Sequence, residues 1–329
     1  MMRLSTMMRV DAAIRDDGSS SVAEQILERW AQDRGSARFF RSSANFIYRF
    51  REQDRARFLR FADASERSRD TVESEIAVVA ALAAAGILVA APVASENGNA
   101  VETVATAWGT FRAVVFPALE GEQREFDELD ESGFQEWGAA LGRLHAMTSG
   151  LTGLPERPWW RDHLDFVQGY LPANSPGLRA EYDDIAATLA ALPTSQDTYG
   201  LAHCDFELDN LIWGQTGIEI LDFDDCSRLW YAGDVALALR DLFETGADTS
   251  DRRFRTFVNG YREYHPLSAE NIAQMPLFMR YARLVMYARL ARSLDLTPGD
   301  EYPDWLRELS SKMQDRMAEY RASIETQHR

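Results

Sequence analysis

The chain has 329 residues, 46% of them hydrophobic and 11% aromatic, enough to bury a sizeable core in one large domain or two modest ones. Asp and Glu outnumber Lys and Arg 52 to 35, and the formal charge of −17 argues against a nucleic-acid or anionic-membrane surface. Cys204 and Cys226 are too few for a disulfide framework and have no zinc-ligand spacing; with no apolar run long enough to cross a bilayer and no apolar centre of a signal peptide, a reducing cytoplasm is the expected setting.

Residues 1–20 read as a loose N-terminal tail. SVAEQILERWAQ follows as a short helix, with Val22, Ile26 and Trp30 at near-helical spacing. In ANFIYRFR and ARFLRFA, aromatic and aliphatic residues flank the charged break REQDR, which predicts two antiparallel strands joined by a hairpin. RDTVESEIAVVAALAAAG then reads as a helix: Val72, Ile76, Val79 and Leu82 form its apolar stripe, Gly86 its stop, and Asp70 and Glu73 have capping-box spacing. Short strands, FRAVVF among them, lead to PALEGEQ. From Asp130 onward the pattern is mainly helical, with Phe134, Trp137, Leu141 and Leu144 on one face and Tyr182, Ile185 and Leu189 on another. LAHCDFELDNLIWGQTGIEILDFDD interrupts this as a compact β insertion, LIW and IEIL being short strands around a QTG turn, and four further helical stretches end the chain. The change of character near Gly121 predicts two lobes, 21–120 and 121–329, with a ligand cleft between them.

The β insertion carries the chemistry. Phosphoryl transfer asks for a carboxylate beside the attacking hydroxyl, metal ligands bridging the phosphates and positive charge on the nucleotide. In HCDFELDN, Asp205 and Asn210 lie five residues apart on a loop entering a strand, and Asp222 follows the next strand in LDFDD. Such hard oxygen ligands suit Mg²⁺. Each acid alone would read as a turn former, but the ordered set of HxD, the Asn, a hairpin and DFD is a long pattern that chance seldom delivers.

This set resembles the aminoglycoside phosphotransferase and choline kinase-like family, whose usual loop is HGDxxxxN; here Cys204 occupies the glycine position. The resemblance implies an α+β, two-lobed, protein-kinase-like fold: a nucleotide-binding lobe with a small antiparallel sheet and one main helix, and a larger helical lobe with a catalytic hairpin and an acceptor site. It implies ATP and Mg²⁺ as cofactors, Asp205 as catalytic base, Asn210 and Asp222 as metal ligands, His203 as a structural loop residue and Asp234 as a brace. A basic residue on the third strand, paired to a helix carboxylate, should hold the phosphates. FLRF offers Arg60 there, with Glu75 as partner; Lys312 is the only lysine in the chain. Ahead of the first hairpin RSSAN replaces a glycine-rich loop, leaving backbone N–H groups, the hydroxyls of Ser42 and Ser43, and Asn45, which resembles an asparagine common in relatives, for the phosphates. If Phe116 ends the last strand of the first lobe, the Pro117 carbonyl and the Leu119 N–H fall where relatives meet adenine.

Other residues have plainer readings. His145 reads as a satisfied core histidine, the two cysteines as small apolar fillers, and Trp159 and Trp160 as a helix-docking pair. Glu207, Asp209, Asp224 and Asp225 ring the loop and read equally as solvated carboxylates or as a recognition surface for an amine. The segment between Asp222 and Asp234 is too short for a long activation loop, and Glu207 stands where protein kinases place a lysine. The expected activity is therefore transfer of the γ-phosphate of ATP to a hydroxyl of a small molecule: an amino alcohol, an amino sugar or a homoserine-like compound. The alternatives are a bacterial stress-type Ser/Thr protein kinase, suggested by the FLRF and DFD segments, and a nucleotide-binding pseudokinase scaffold, suggested by the missing glycines and lysine. Neither nucleic acid nor membrane is expected as a partner.

Overall fold

The aromatic and β-branched residues of the first third pair into a five-stranded antiparallel sheet. In the computed structural model, which describes residues 1–244 and 248–327, its strands are β1 (Arg38–Ser42), β2 (Phe46–Glu52), β3 (Arg55–Asp63), β4 (Glu102–Thr106) and β5 (Gly109–Pro117), in spatial order β1-β2-β3-β5-β4. Gln53 and Asp54 turn the β2–β3 hairpin with φ of 49° and 63°, the left-handed pair that lets a two-residue loop follow the twist of its strands. One face of the sheet buries Phe46, Tyr48, Phe50, Leu59, Phe61 and Phe111. The Phe46 and Phe61 rings stack at 5.3 Å. The other face meets helix α3 (Arg69–Ala84) through Val72, Ile76 and Val114. Ser68, rather than Asp70, caps α3 by accepting from Thr71 N, and Glu73 pairs with Arg69 instead of completing a capping box.

Residues 1–20 are not a loose tail. They contain α1 (Leu4–Asp11), which buries Leu4, Met7 and Val10 and ties down through Thr6 Oγ1 to Glu66 at 3.0 Å and Arg9 to Asp63 at 2.7 Å. Part of its hydrophobic partner, Leu306 and Met313 on α12 (Asp304–Gln327), lies some three hundred residues away, so local pattern could not reveal it. Helix α2 (Ser21–Leu27) lays Val22 and Ile26 on the aromatic face of the sheet.

The second lobe is built from α4 (Glu131–Gly150), α5 (Trp160–Gln168), α6 (Pro176–Ala191), α7 (Tyr231–Ala238), α8 (Arg240–Glu244), α9 (Arg252–Arg262), α10 (Ala269–Ala273), α11 (Met275–Ser293) and α12. Helices α4 and α9 approach closely enough that a Cβ at Gly138 would lie 1.9 Å from the Phe257 carbonyl oxygen, which only glycine allows. Among these helices sit two small antiparallel ladders. The hairpin of β7 (Leu211–Gly214) and β8 (Gly217–Ile220) is the one expected; β6 (Tyr199–Ala202) pairs with β9 (Ser227–Trp230), a ladder whose strands are too short and too far apart to read from alternation. The lobes meet where Val89, after α3, bridges to Ile220 and where Glu122, in the connector, pairs with Trp213. No helix among the described residues is long and apolar enough to cross a membrane.

Candidate active site

Strand β6 leads into the HCDFELDN loop, and a buried carboxylate holds it. Asp234, in the first turn of α7, accepts from the backbone N–H of His203 at 2.7 Å and of Cys204 at 2.8 Å. His145 Nε2 lies 2.9 Å from the same carboxylate, and its Nδ1 2.8 Å from the Tyr261 hydroxyl. Burial alone would raise the Asp234 pKa, but the hydrogen bonds and charges of His145 and His203 outweigh it and hold the carboxyl below its usual range. His203 Nε2 reaches the Leu221 carbonyl at 2.9 Å, tying the loop to the strand end that carries Asp222. Cys204 and Asp222 have φ of 64° and 53°; apart from the hairpin pair Gln53 and Asp54, they are the positive-φ non-glycine residues among those described. Strained backbone of this kind gathers where a site must aim its side chains.

Asp205 and Asn210 are joined directly, and Asp222 lines the same cleft as Asn210. The Asn210 amide nitrogen donates to both the carboxylate and the backbone oxygen of Asp205 at 2.9 Å, which leaves the amide oxygen free as a ligand atom. Arg60, on β3, is buried between two carboxylates: Nη2 lies 2.6 Å from Glu75 on α3 and Nη1 3.0 Å from Asp222. Burial pushes Glu75 up to about 7 against the pull of the Arg60 guanidinium. Burial, then the neighbouring charge of Asp224, raises Asp222, and burial, then Asp225, raises Asp205. Ligand oxygens of Glu75, Asp222 and Asp224 all lie within 4.8 Å of one another.

Two spaces open on this cluster. A cleft of about 440 Å³ between the lobes is lined by Arg60, Glu75, Asn210 and Asp222 and by Phe116, Pro117 and Leu119, with Val79, Ala90, Ile212 and Ile220 as apolar walls. Asp205 lines a second, smaller cavity of about 90 Å³ with Cys204, Asp225, Tyr281 and Arg289. The RSSAN loop behaves differently from expectation. Ser42 and Ser43 do not line the cleft, and the Ser43 N–H is already committed to the Asn45 carbonyl at 3.2 Å. The Asn45 side chain is buried and donates to Asp224 at 2.8 Å, bracing the loop on the DFD segment.

The four ringing acids separate. Asp224 is buried and pairs with Arg67, and Asp225 forms a two-pronged pair with Arg289 at 2.6 and 2.9 Å. Glu207 pairs with Arg240, and burial followed by the charge of Asp205 lifts it to about 8; Asp209 stays exposed. Arg157 was invisible to motif reading: it reaches the backbone oxygens of Asp224 at 2.8 Å and Cys226 at 3.0 Å while also touching Thr71 and Ser74 on α3. Phe40, Arg41 and Phe58, on the cleft side of β1 and β3, were also missed. Of the tryptophans, Trp160 is core and Trp159 remains 40% exposed; Cys226 is fully buried.

Fold and site together define a two-lobed kinase-like enzyme, with an interlobe cleft and a smaller cavity lined by Asp205. The model of the phosphotransferase enzyme family matches residues 36–268, and the chain belongs to that family, which includes the aminoglycoside phosphotransferases and choline kinases. It is a phosphotransferase with an alcohol group as acceptor. Amicoumacin kinase of Bacillus subtilis strain 168 is 26% identical over 300 residues, 86% of this chain and 89% of that protein. Among solved structures, an amicoumacin kinase in complex with AMP-PNP and Ca²⁺ matches with a TM-score of 0.79 at 24% identity, covering 96% of this chain and 95% of the other. A microcompartment-associated aminopropanol kinase matches with a TM-score of 0.71 at 25% identity, covering 93% and 96%.

Proposed function

We propose that the chain transfers the γ-phosphate of ATP, with Mg²⁺, to the hydroxyl of a small amino alcohol, amino sugar or homoserine-like acceptor. One observation carries this reading: Asp205 lines the acceptor cavity while its carboxylate is hydrogen-bonded to Asn210, which lines the cleft. The donor set is hard oxygen throughout, which fits Mg²⁺. Asn210, through its free amide oxygen, and Asp222 would hold the ion, which when bound neutralises charge on the phosphates. The kinase and ligand names of the amicoumacin and aminopropanol relatives support both donor and acceptor class.

The protein's own groups then divide the work. Asp205 orients the acceptor hydroxyl and takes its proton, and its burial makes it a stronger base than a solvated carboxylate. Arg60, fixed by Glu75, presents its remaining donors to phosphate oxygens. The Pro117 carbonyl and Leu119 N–H face the purine edge between apolar walls. In this reading residues 21–120 hold the donor, and the residues from 121 onward carry the catalytic loop and acceptor site. Incubating the purified protein with γ-labelled ATP, Mg²⁺ and a library of hydroxylated metabolites tests it. Label should appear on small molecules, and Asp205→Ala should lower the rate at least about 100-fold with ATP affinity kept. Label confined to protein would favour the stress-type protein kinase, and turnover that survives in Asp205→Ala would remove Asp205 from its role.

A further inference from the structure

Arg41 stands beside Arg60 in a way the motif does not anticipate. In the sheet register Arg41 is opposite Ile47 and Ile47 is opposite Arg60. Directly opposed residues project from the same face of a sheet, so the three form one row, and all three line the interlobe cleft. With adjacent strands about 4.8 Å apart, the two arginines start roughly 10 Å from each other, a span that flexible guanidinium side chains close onto a phosphate chain.

A β-bulge creates this arrangement. Phe39 pairs with Tyr48 but Arg41 pairs with Ile47, so Phe40 is the extra residue. In an unbroken ladder Phe40 would oppose Ile47 and Arg41 would oppose Phe46, which lies in the aromatic core at 1% exposure. The bulge thus turns a charged residue away from the core and onto the cleft, as bulges beside active sites do. What Arg41 finds there is incomplete. Its Nε is buried and has no hydrogen-bond partner among the described residues. Arg60, by contrast, is committed to Glu75 and Asp222, and Asp224 is taken by Arg67. Burying an unpaired guanidinium donor is costly unless a ligand supplies the acceptor.

Resting on the kinase reading above, we propose that Arg41 is the second phosphate-holding cation of the donor site. It supplies by side chain what a glycine-rich loop supplies by backbone N–H groups. In the RSSAN loop the Ser43 N–H is taken by the Asn45 carbonyl and the Asn45 amide by Asp224, while the planar, forked donor at the end of β1 can meet phosphate oxygens.

Calorimetric titration of full-length wild type, Arg41→Met and Arg41→Lys with ATP plus Mg²⁺, and separately with adenosine, decides the matter. Arg41→Met should weaken ATP by roughly 10- to 100-fold while adenosine changes by less than about twofold, and Arg41→Lys, keeping charge without the fork, should fall between. Unchanged melting temperatures confirm that both variants are folded. Equal losses for ATP and adenosine would assign Arg41 to the base or ribose and overturn the proposal, as would unchanged ATP affinity in Arg41→Met. Wild-type protein that binds neither ligand would overturn the kinase reading itself, and this inference with it.

Discussion

Replacing Arg60 by methionine keeps an unbranched apolar stem and deletes the charge that lies between Glu75 and Asp222. The structure makes the cost calculable in direction and size. Arg60 is 6% exposed and Glu75 1% exposed, so the lost 2.6 Å contact to Glu75 is a buried one and the 3.0 Å contact to Asp222 a part-buried one. Removing one partner of a buried ion pair costs about 3–5 kcal/mol, because the other charge is left without compensation. In a chain of this size each kcal/mol corresponds to about 2 °C, so a melting temperature lower by about 6–10 °C is expected. Protonation of Glu75 relieves part of this loss. Its pKa is already pushed up to about 7, so the deficit should be smaller below neutrality and larger above it. Mg²⁺ should stabilise Arg60→Met more than wild type, since the carboxylates of Glu75, Asp222 and Asp224 then face one another without Arg60 between them. The double variant Arg60→Met/Glu75→Leu replaces the pair by apolar groups and should regain most of the stability, while phosphotransfer stays lost. Scanning calorimetry of the three proteins below and above neutral pH, alongside ADP release, measures all of this. An Arg60→Met protein within about 1 kcal/mol of wild type on both sides of neutrality, or a double variant no more stable than the single one, would refute the reasoning.

Two further outcomes follow from Cys204 and His163, which line the cavity beside Asp205. Cys204 holds a left-handed φ of 64°, which costs a side-chain-bearing residue about 1–2 kcal/mol, against about 0.5–1 kcal/mol for the added backbone entropy of glycine. Cys204→Gly should therefore melt at or slightly above the wild-type temperature and, by widening the cavity the thiol lines, change the acceptor KM more than the ATP KM; a lower melting temperature would deny the strain. His163 is held at about 4 by burial and then by the Arg289 charge. The fold favours its neutral form, so this contribution is complete above the unfolded pKa of about 6.5 and fades as pH falls toward 4, a loss of up to about 3 kcal/mol. Melting curves of wild type and His163→Gln should therefore converge in acid, wild type losing more; parallel pH profiles would exclude the effect.

What the sequence disclosed and what it hid divide along chain separation. The β2–β3 hairpin, α3 and the β7–β8 hairpin rest on neighbours within a few residues, and the Arg60–Glu75 pair joins groups fifteen positions apart. Alternation and helical spacing are enough for the hairpins and the helix, whereas the Arg60–Glu75 pair was expected from the family resemblance. Asn45 was assigned to phosphate, yet its partner is Asp224, 179 positions away, and no local pattern favours that bond over solvent. The helix at the N-terminus was hidden in part for the same reason, since Leu306 and Met313, against which Leu4 packs, lie at the far end of the chain. The bulge at Phe40 was hidden for another: alternation says that a strand is present, but which residue is surplus depends on the strand beside it.

The same long-range pairing explains why the DFDD segment is more than a metal-ligand motif. Each of its carboxylates is held by an arginine from a different place: Asp222 by Arg60 on β3, Asp224 by Arg67 ahead of α3, and Asp225 by Arg289 on α11. Arg157 adds a fourth guanidinium, on the backbone of the segment and on α3. The first two arginines belong to the sheet-bearing lobe and the last two to the helical lobe. The segment is therefore the junction through which one lobe registers on the other. A chain whose cations are nearly all arginine has the planar, multiply donating groups such a junction needs, where a lysine could serve each carboxylate only as a point charge.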